Sequence, residues 1–311
     1  MKRSWILLVS IVLMMGAAGT ARAGDAAESS ENGWLTALGD RVVKDLAEGR
    51  PLVVQVHAPL CDATIIACGN ARLGDGDNLE TNLYWSTTPG FGKWFSRRGG
   101  GWKKVMERRG QETGDGDLLA LLVYRRTINA SAGWRKRGAP KSFEVYVVIC
   151  GWRGKAIDRA LAAYARELSG LDERVIELPS SAALRAGGAA HLVAYSGHNR
   201  LMDVGAYPWP APAPAQQPIG AIAVACLTAD YMEQSVPAAT RVPLLMTRDF
   251  LFANAAPVEA VVLSFARGDG YREMRLAAAE AYAGVQKKDV KRVFGAFTNP
   301  HDRRWGKRTA Q

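Results

Sequence analysis

The sequence predicts an α/β protein: a mostly parallel, doubly wound sheet with helices on both faces. Three observations lead there. Short apolar runs such as LLALLVY at 118–124 and FEVYVVIC at 143–150 are nearly continuous, as strands covered on both faces should be. Helical segments alternate with those runs, the pattern of βα units. Chemically capable residues follow several runs at once, and in such sheets function gathers at the carboxyl ends of strands.

Taken in order, the chain opens on an export signal. Lys2 and Arg3 precede the apolar run WILLVSIVLMM, and Ala21-Arg22-Ala23 forms a small-residue cleavage pattern before Gly24. The run is shorter than the roughly 20 residues a membrane span needs. The expectation is an exported chain, periplasmic or secreted, cut after Ala23 and with no transmembrane segment thereafter. Residues 24–33 are polar and small and predict a flexible leader. One domain then spans 34–298. It should begin with a helix over 34–48 and a strand over 52–57. A long loop rich in Gly, Asp and Asn follows, of a length that is often functional. Residues 82–98, aromatic and interrupted at Pro89-Gly90, predict a helix pair or one helix with a break. Strands are expected at 118–124 and 143–150. A helix over 155–169 should follow, with Ile157, Leu161, Tyr164, Ala165 and Leu168 on one face and Gly170 as its stop. Further strands are expected at 175–178, 191–195, 221–226 and 242–246. The Pro/Ala-rich stretch 206–218 predicts an extended surface loop. Helices over 257–266, 271–286 and 289–297 complete the domain. Residues 299–311 predict a basic, disordered tail.

Composition is that of a globular chain, with 48% apolar and 23% charged residues. The formal charge of +10 falls to +7 once Lys2, Arg3 and Arg22 leave with the signal. Basic residues cluster at 97–98, 103–104, 108–109, 135–137 and 303–308. Such runs suit an anionic envelope surface or acidic substrates, or simply a solvated face. Zinc-finger spacing and RNA-binding aromatic signatures are absent from the sequence, so nucleic acid is not an expected partner. Gly74-Asp75-Gly76-Asp77-Asn78 is rich in oxygen but lacks EF-hand spacing. The glycines at 99–101 lack the setting of a phosphate loop. The four histidines form no metal-ligand cluster. Neither a cofactor nor a metal is expected.

The four cysteines are Cys61, Cys68, Cys150 and Cys226, and an exported chain permits disulfides. Cys61 and Cys68 are the easiest pair to close. Cys150 and Cys226 each end an expected strand, and each is open to a bridge or a free thiol. His198 also follows a strand, 28 residues before Cys226. If the two strands are neighbours, imidazole and thiol meet at one sheet edge, the minimal device for acyl transfer. His57 and Asp62 follow the first strand and border the same edge, and Asp203 and Asp230 lie just beyond His198 and Cys226.

The stretches HLVAYSGHN and AIAVACLTAD resemble the caspase, gingipain and legumain class of cysteine peptidases. There an apolar strand ends in His and a second ends in the nucleophilic Cys, commonly after Ala. The likeness of layout covers about residues 50–270. It implies a caspase-like fold and hydrolysis of peptides. It also implies His198 as general base or acid and Cys226 as nucleophile, with Gly197 and the Cys226 backbone N–H near the oxyanion. Asn199 departs from the pattern, because that class usually carries glycine after the His. The alternative is a non-catalytic envelope or binding protein of the same fold with structural cysteines.

Overall fold

The computed structural model describes residues 23–180 and 183–307, with side chains from residue 32 onward. Apart from Ala23, the expected export signal lies outside the described residues. In chain order the helices are α1 (Ala23–Ala47), α2 (Ala132–Lys136), α3 (Ile157–Leu168), α4 (Leu201–Val204), α5 (Thr228–Met232), α6 (Ala255–Ala266), α7 (Tyr271–Gln286) and α8 (Val290–Phe294). The strands are β1 (Leu52–Pro59), β2 (Lys103–Arg109), β3 (Leu118–Asn129), β4 (Ser142–Trp152), β5 (Glu173–Glu177), β6 (Ala183–Gly187), β7 (Leu192–Ser196), β8 (Ile219–Val224), β9 (Arg241–Thr247) and β10 (Phe297–Thr298).

An eight-stranded sheet runs β10-β9-β8-β7-β1-β4-β3-β2, and β5 pairs with β6 in a separate ribbon. Strands β4, β1, β7, β8 and β9 are parallel to one another. The remaining pairings, β2 with β3, β3 with β4 and β10 with β9, are antiparallel. Helices cover both faces, as the apolar runs require. Leu52, Val54 and Val56 of β1 pack in one core with α1, α6 and α7, while Val53 joins a second core with α3 and α5. The period of 2 along each strand sends alternate side chains to opposite cores. In α1, Leu38, Val42, Val43 and Leu46 form the buried stripe.

Several expectations change. The segment expected as a flexible leader, 24–33, continues the first helix back to Ala23. The expected tail is packed from Asn299 through its turns to Lys307. The Asn299 amide donates to the carbonyls of Leu244 and Tyr271, and Asp302 pairs with Arg275 and Arg304. Residues 82–98 form turns and a short 3-10 turn at Trp94–Ser96 instead of a helix pair or a broken helix. Pro89 and the glycines at 90 and 92 disfavour regular helix, and Gly92 is required by contact, since a Cβ there would fall 2.3 Å from the Trp85 indole nitrogen. Cys150 does not end its strand. It sits inside β4 opposite His57 and Leu121, fully buried among the side chains under α3. Strands β2, β6 and β10 were not expected, and the helix expected over 289–297 ends at Phe294. Charged KKVMERR lacks the apolar alternation that marks a strand, and charge is what an edge strand carries.

Candidate active site

The site is built where β7 and β8 end. These strands are adjacent and parallel, and the last paired residues are Ser196 and Val224. His198 and Cys226 each lie two residues further on, so they occupy matched positions beyond the ladder. Parallel neighbours stand about 4.8 Å apart, so both residues emerge on one edge. Gly197 is required by contact: Pro59, at the end of β1, would meet a Cβ there at 2.9 Å.

Asn199 ties the two loops together. Its side chain is buried, its Nδ2 donates to the Cys226 carbonyl at 2.7 Å, and its Oδ1 accepts from the Leu201 amide. The Tyr195 hydroxyl donates to the His198 carbonyl at 2.7 Å. His198 Nε2 bonds Asp203 Oδ2 at 2.7 Å, and Arg200 holds the same oxygen at 3.1 Å. The His198 side chain is 12% exposed. Burial alone would raise the Asp203 carboxyl, but the hydrogen bonds from His198 and Arg200 outweigh it and its pKa is lowered.

Cys226 is a free, half-buried thiol. Its Sγ donates to the Leu251 carbonyl at 3.5 Å. Beneath it lies a compact hydroxyl network. Thr228 Oγ1 donates to the Ala223 carbonyl and Thr247 Oγ1 to the Ala225 carbonyl, while each hydroxyl oxygen accepts from the other residue's amide. Leu227, directly after the cysteine, has φ of 53°, a left-handed conformation that costs a leucine roughly 1–2 kcal/mol. The network holds that turn in place. Tyr84 and Tyr282 approach closely enough to feel a charge on Cys226. Burial pushes the Tyr84 phenol up first, and the cysteine adds to it. Tyr84 packs against Phe252 and the Cys61–Cys68 loop.

The other expected residues fall elsewhere. Cys61 and Cys68 form a disulfide, while Cys150 and Cys226 are both free, so no bridge joins them. Burial pushes the Cys150 thiol up to about 12, and its sulfur accepts from the Gln55 amide. His57 is buried inside β1. Its Nδ1 accepts from the Trp152 indole, leaving Nε2 to donate to Glu167 at 2.7 Å. Asp62 is buried too, and its carboxylate holds the turn at Thr64 through the amide and the hydroxyl. Asp230 faces Arg248 at 4.0 Å, and Arg248 is itself engaged by Glu233 at 2.6 Å. Among the expected companions, Gly197, Asn199 and Asp203 are the ones gathered at His198.

One residue in each of the first four basic runs is paired with a carboxylate. Arg97 pairs with Glu259, Lys104 with Glu107, Arg109 with Glu80 and Glu107, and Arg137 with Asp40. Among the described residues, no group of three or more His, Cys, Asp or Glu could hold a metal ion, and no helix is long and apolar enough to cross a membrane. Sequence reasoning missed Tyr84, Thr247, Leu251 and Tyr282. They come from distant segments and carry no local motif. No protein-family model matches the chain, and neither a curated protein nor a solved structure is found to resemble it.

Proposed function

We propose that the chain is an exported, caspase-like cysteine hydrolase acting on peptides, with Asp203, His198 and Cys226 as its working line. The observation that carries the reading is the matched placement of His198 and Cys226 past the ends of neighbouring parallel strands. The order β4-β1-β7-β8-β9, with antiparallel β10 at the edge, supports a caspase-like layout.

In this reading Asp203 fixes Nε2 of His198 and leaves Nδ1 to take the thiol proton. The thiolate attacks the scissile carbonyl carbon, and the C–N bond breaks as the imidazolium returns the proton to the leaving amine. Water then cleaves the thioester. The amides of Gly197 and Cys226 stand nearest the developing oxyanion. The bond from Cys226 to Leu251 must open for a substrate to enter.

The test is thiol labelling of the native protein at neutral pH, with peptide hydrolysis measured alongside. One thiol, Cys226, should react, because Cys150 is buried and its pKa is raised. His198→Ala should slow labelling and hydrolysis by about a hundredfold. Equal reactivity with and without His198 would sink the dyad. The second reading, a non-catalytic binding protein, draws on the bond from Cys226 to Leu251. It predicts that Cys226→Ala keeps function and that hydrolysis is absent throughout.

A further inference from the structure

At the opposite edge of the sheet, where β1, β7 and β8 begin, lies a cavity of about 660 Å³. Pro51, His191 and Ile219 mark its floor, and α1 supplies one wall. Arg41 and Lys44 stand three residues apart on α1, hence on one helix face. Arg50 follows the helix, and Arg185 of β6 lines the same cavity.

The charges do not balance. Arg50 is matched by Asp45 and Glu48, and Arg185 is held by both oxygens of Glu173 at 2.6 and 2.9 Å. Lys44 is exposed and has no carboxylate partner among the described residues. Arg41 donates to two neutral acceptors, the carbonyls of Pro218 at 2.7 Å and Ala189 at 2.8 Å. A guanidinium carries five N–H donors, so others remain. Burial first, then the crowding of Arg185 and Arg50, bring the Arg41 pKa down to about 10 against the pull of Asp45. His191 adds no positive charge. Its Nδ1 accepts from the Val53 amide, and burial lowers its pKa to about 4 despite Asp45. Four cations, Arg41, Lys44, Arg50 and Arg185, therefore meet three carboxylates, Asp45, Glu48 and Glu173, and Arg41 and Lys44 are the two without a carboxylate hydrogen bond among the described residues.

We propose that this cavity binds a small anion bearing phosphate, held by Arg41 and Lys44. A phosphate supplies negative charge against this excess and acceptors for the spare N–H groups. The site is separate from the Cys226 edge, and it stands whether or not that edge is catalytic.

The probes are inorganic phosphate and pyrophosphate, titrated into the full-length protein by calorimetry at about 0.15 M salt. Vesicles containing phosphatidylglycerol form a parallel arm that separates a lipid headgroup from a soluble ligand. Saturable binding of either kind is expected, with hydrogen-exchange protection centred on residues 41–50 and 183–191. Lys44→Glu, an exposed change, should weaken it by about tenfold or more, and Arg41→Lys should weaken it while keeping the charge. Lack of binding to all three probes overturns the proposal. So does binding that is unchanged in Lys44→Glu, or protection located elsewhere.

Discussion

Asp203 lies five residues past His198 and reaches back to the imidazole Nε2. In the proposed reaction it positions the ring and touches no substrate. Its lowered pKa sets the direction of the pH effect. The carboxylate contributes fully above the ordinary Asp range, and the contribution is lost as pH falls through the lowered value. Asp203→Asn keeps the shape but removes the charge. The variant should lose about tenfold in kcat/KM, and the acid limb of its pH–rate profile should move. A loss of rate with an unmoved profile would assign Asp203 a purely structural role. Asn199 works differently, since its amide joins the His198 loop to the Cys226 carbonyl. A glycine there would leave that carbonyl unclamped.

Among the elements, the loop between β1 and β2 is the least regular and the most stapled. The Cys61–Cys68 disulfide closes a short ring, and Asn82 crosses to it with bonds to the amide and the carbonyl of Cys61. Replacing both cysteines by serine should destabilise the protein by about 2 kcal/mol in urea unfolding. It should also speed Cys226 labelling, because Tyr84 and Phe252 pack on the same loop. Unchanged labelling would separate that loop from the site. The parallel strands and α3 were legible in the sequence, because apolar runs and the amphipathic face of Ile157, Leu161, Tyr164, Ala165 and Leu168 are local signals. So were His198 and Cys226, which directly follow such runs. The antiparallel addition of β2 was hidden, because Lys103, Lys104, Arg108 and Arg109 write an edge strand in charge. Thr247 and Tyr282 were hidden because only the tertiary fold brings them to Cys226.

At the scale of the whole molecule, the carboxyl-terminal segment acts as a clasp. Asp302 joins Arg275 of α7 to Arg304, each at 2.9 Å. Burial works to raise the Asp302 carboxyl, but the hydrogen bonds from Arg304 and the charge of Arg275 bring it down to about 2. The clasp therefore stabilises the fold above the ordinary Asp pKa of about 3.9, and its contribution falls away as acid takes the pH toward 2. Asp302→Asn should lower the Tm at neutral pH and flatten the acid limb of a Tm-against-pH curve. An unchanged limb would locate the acid sensitivity elsewhere.

The two margins of the large sheet carry a consequence for self-association. One margin is β10, only two residues long, and the other is β2, charged and interrupted by a bulge between Lys104 and Met106. Neither offers a second molecule a long, flat row of free amides and carbonyls. Continuation of the large sheet across a two-fold axis, and the stacking into fibrils that begins the same way, are disfavoured at both sides, so copies of this chain that do associate should meet away from those margins.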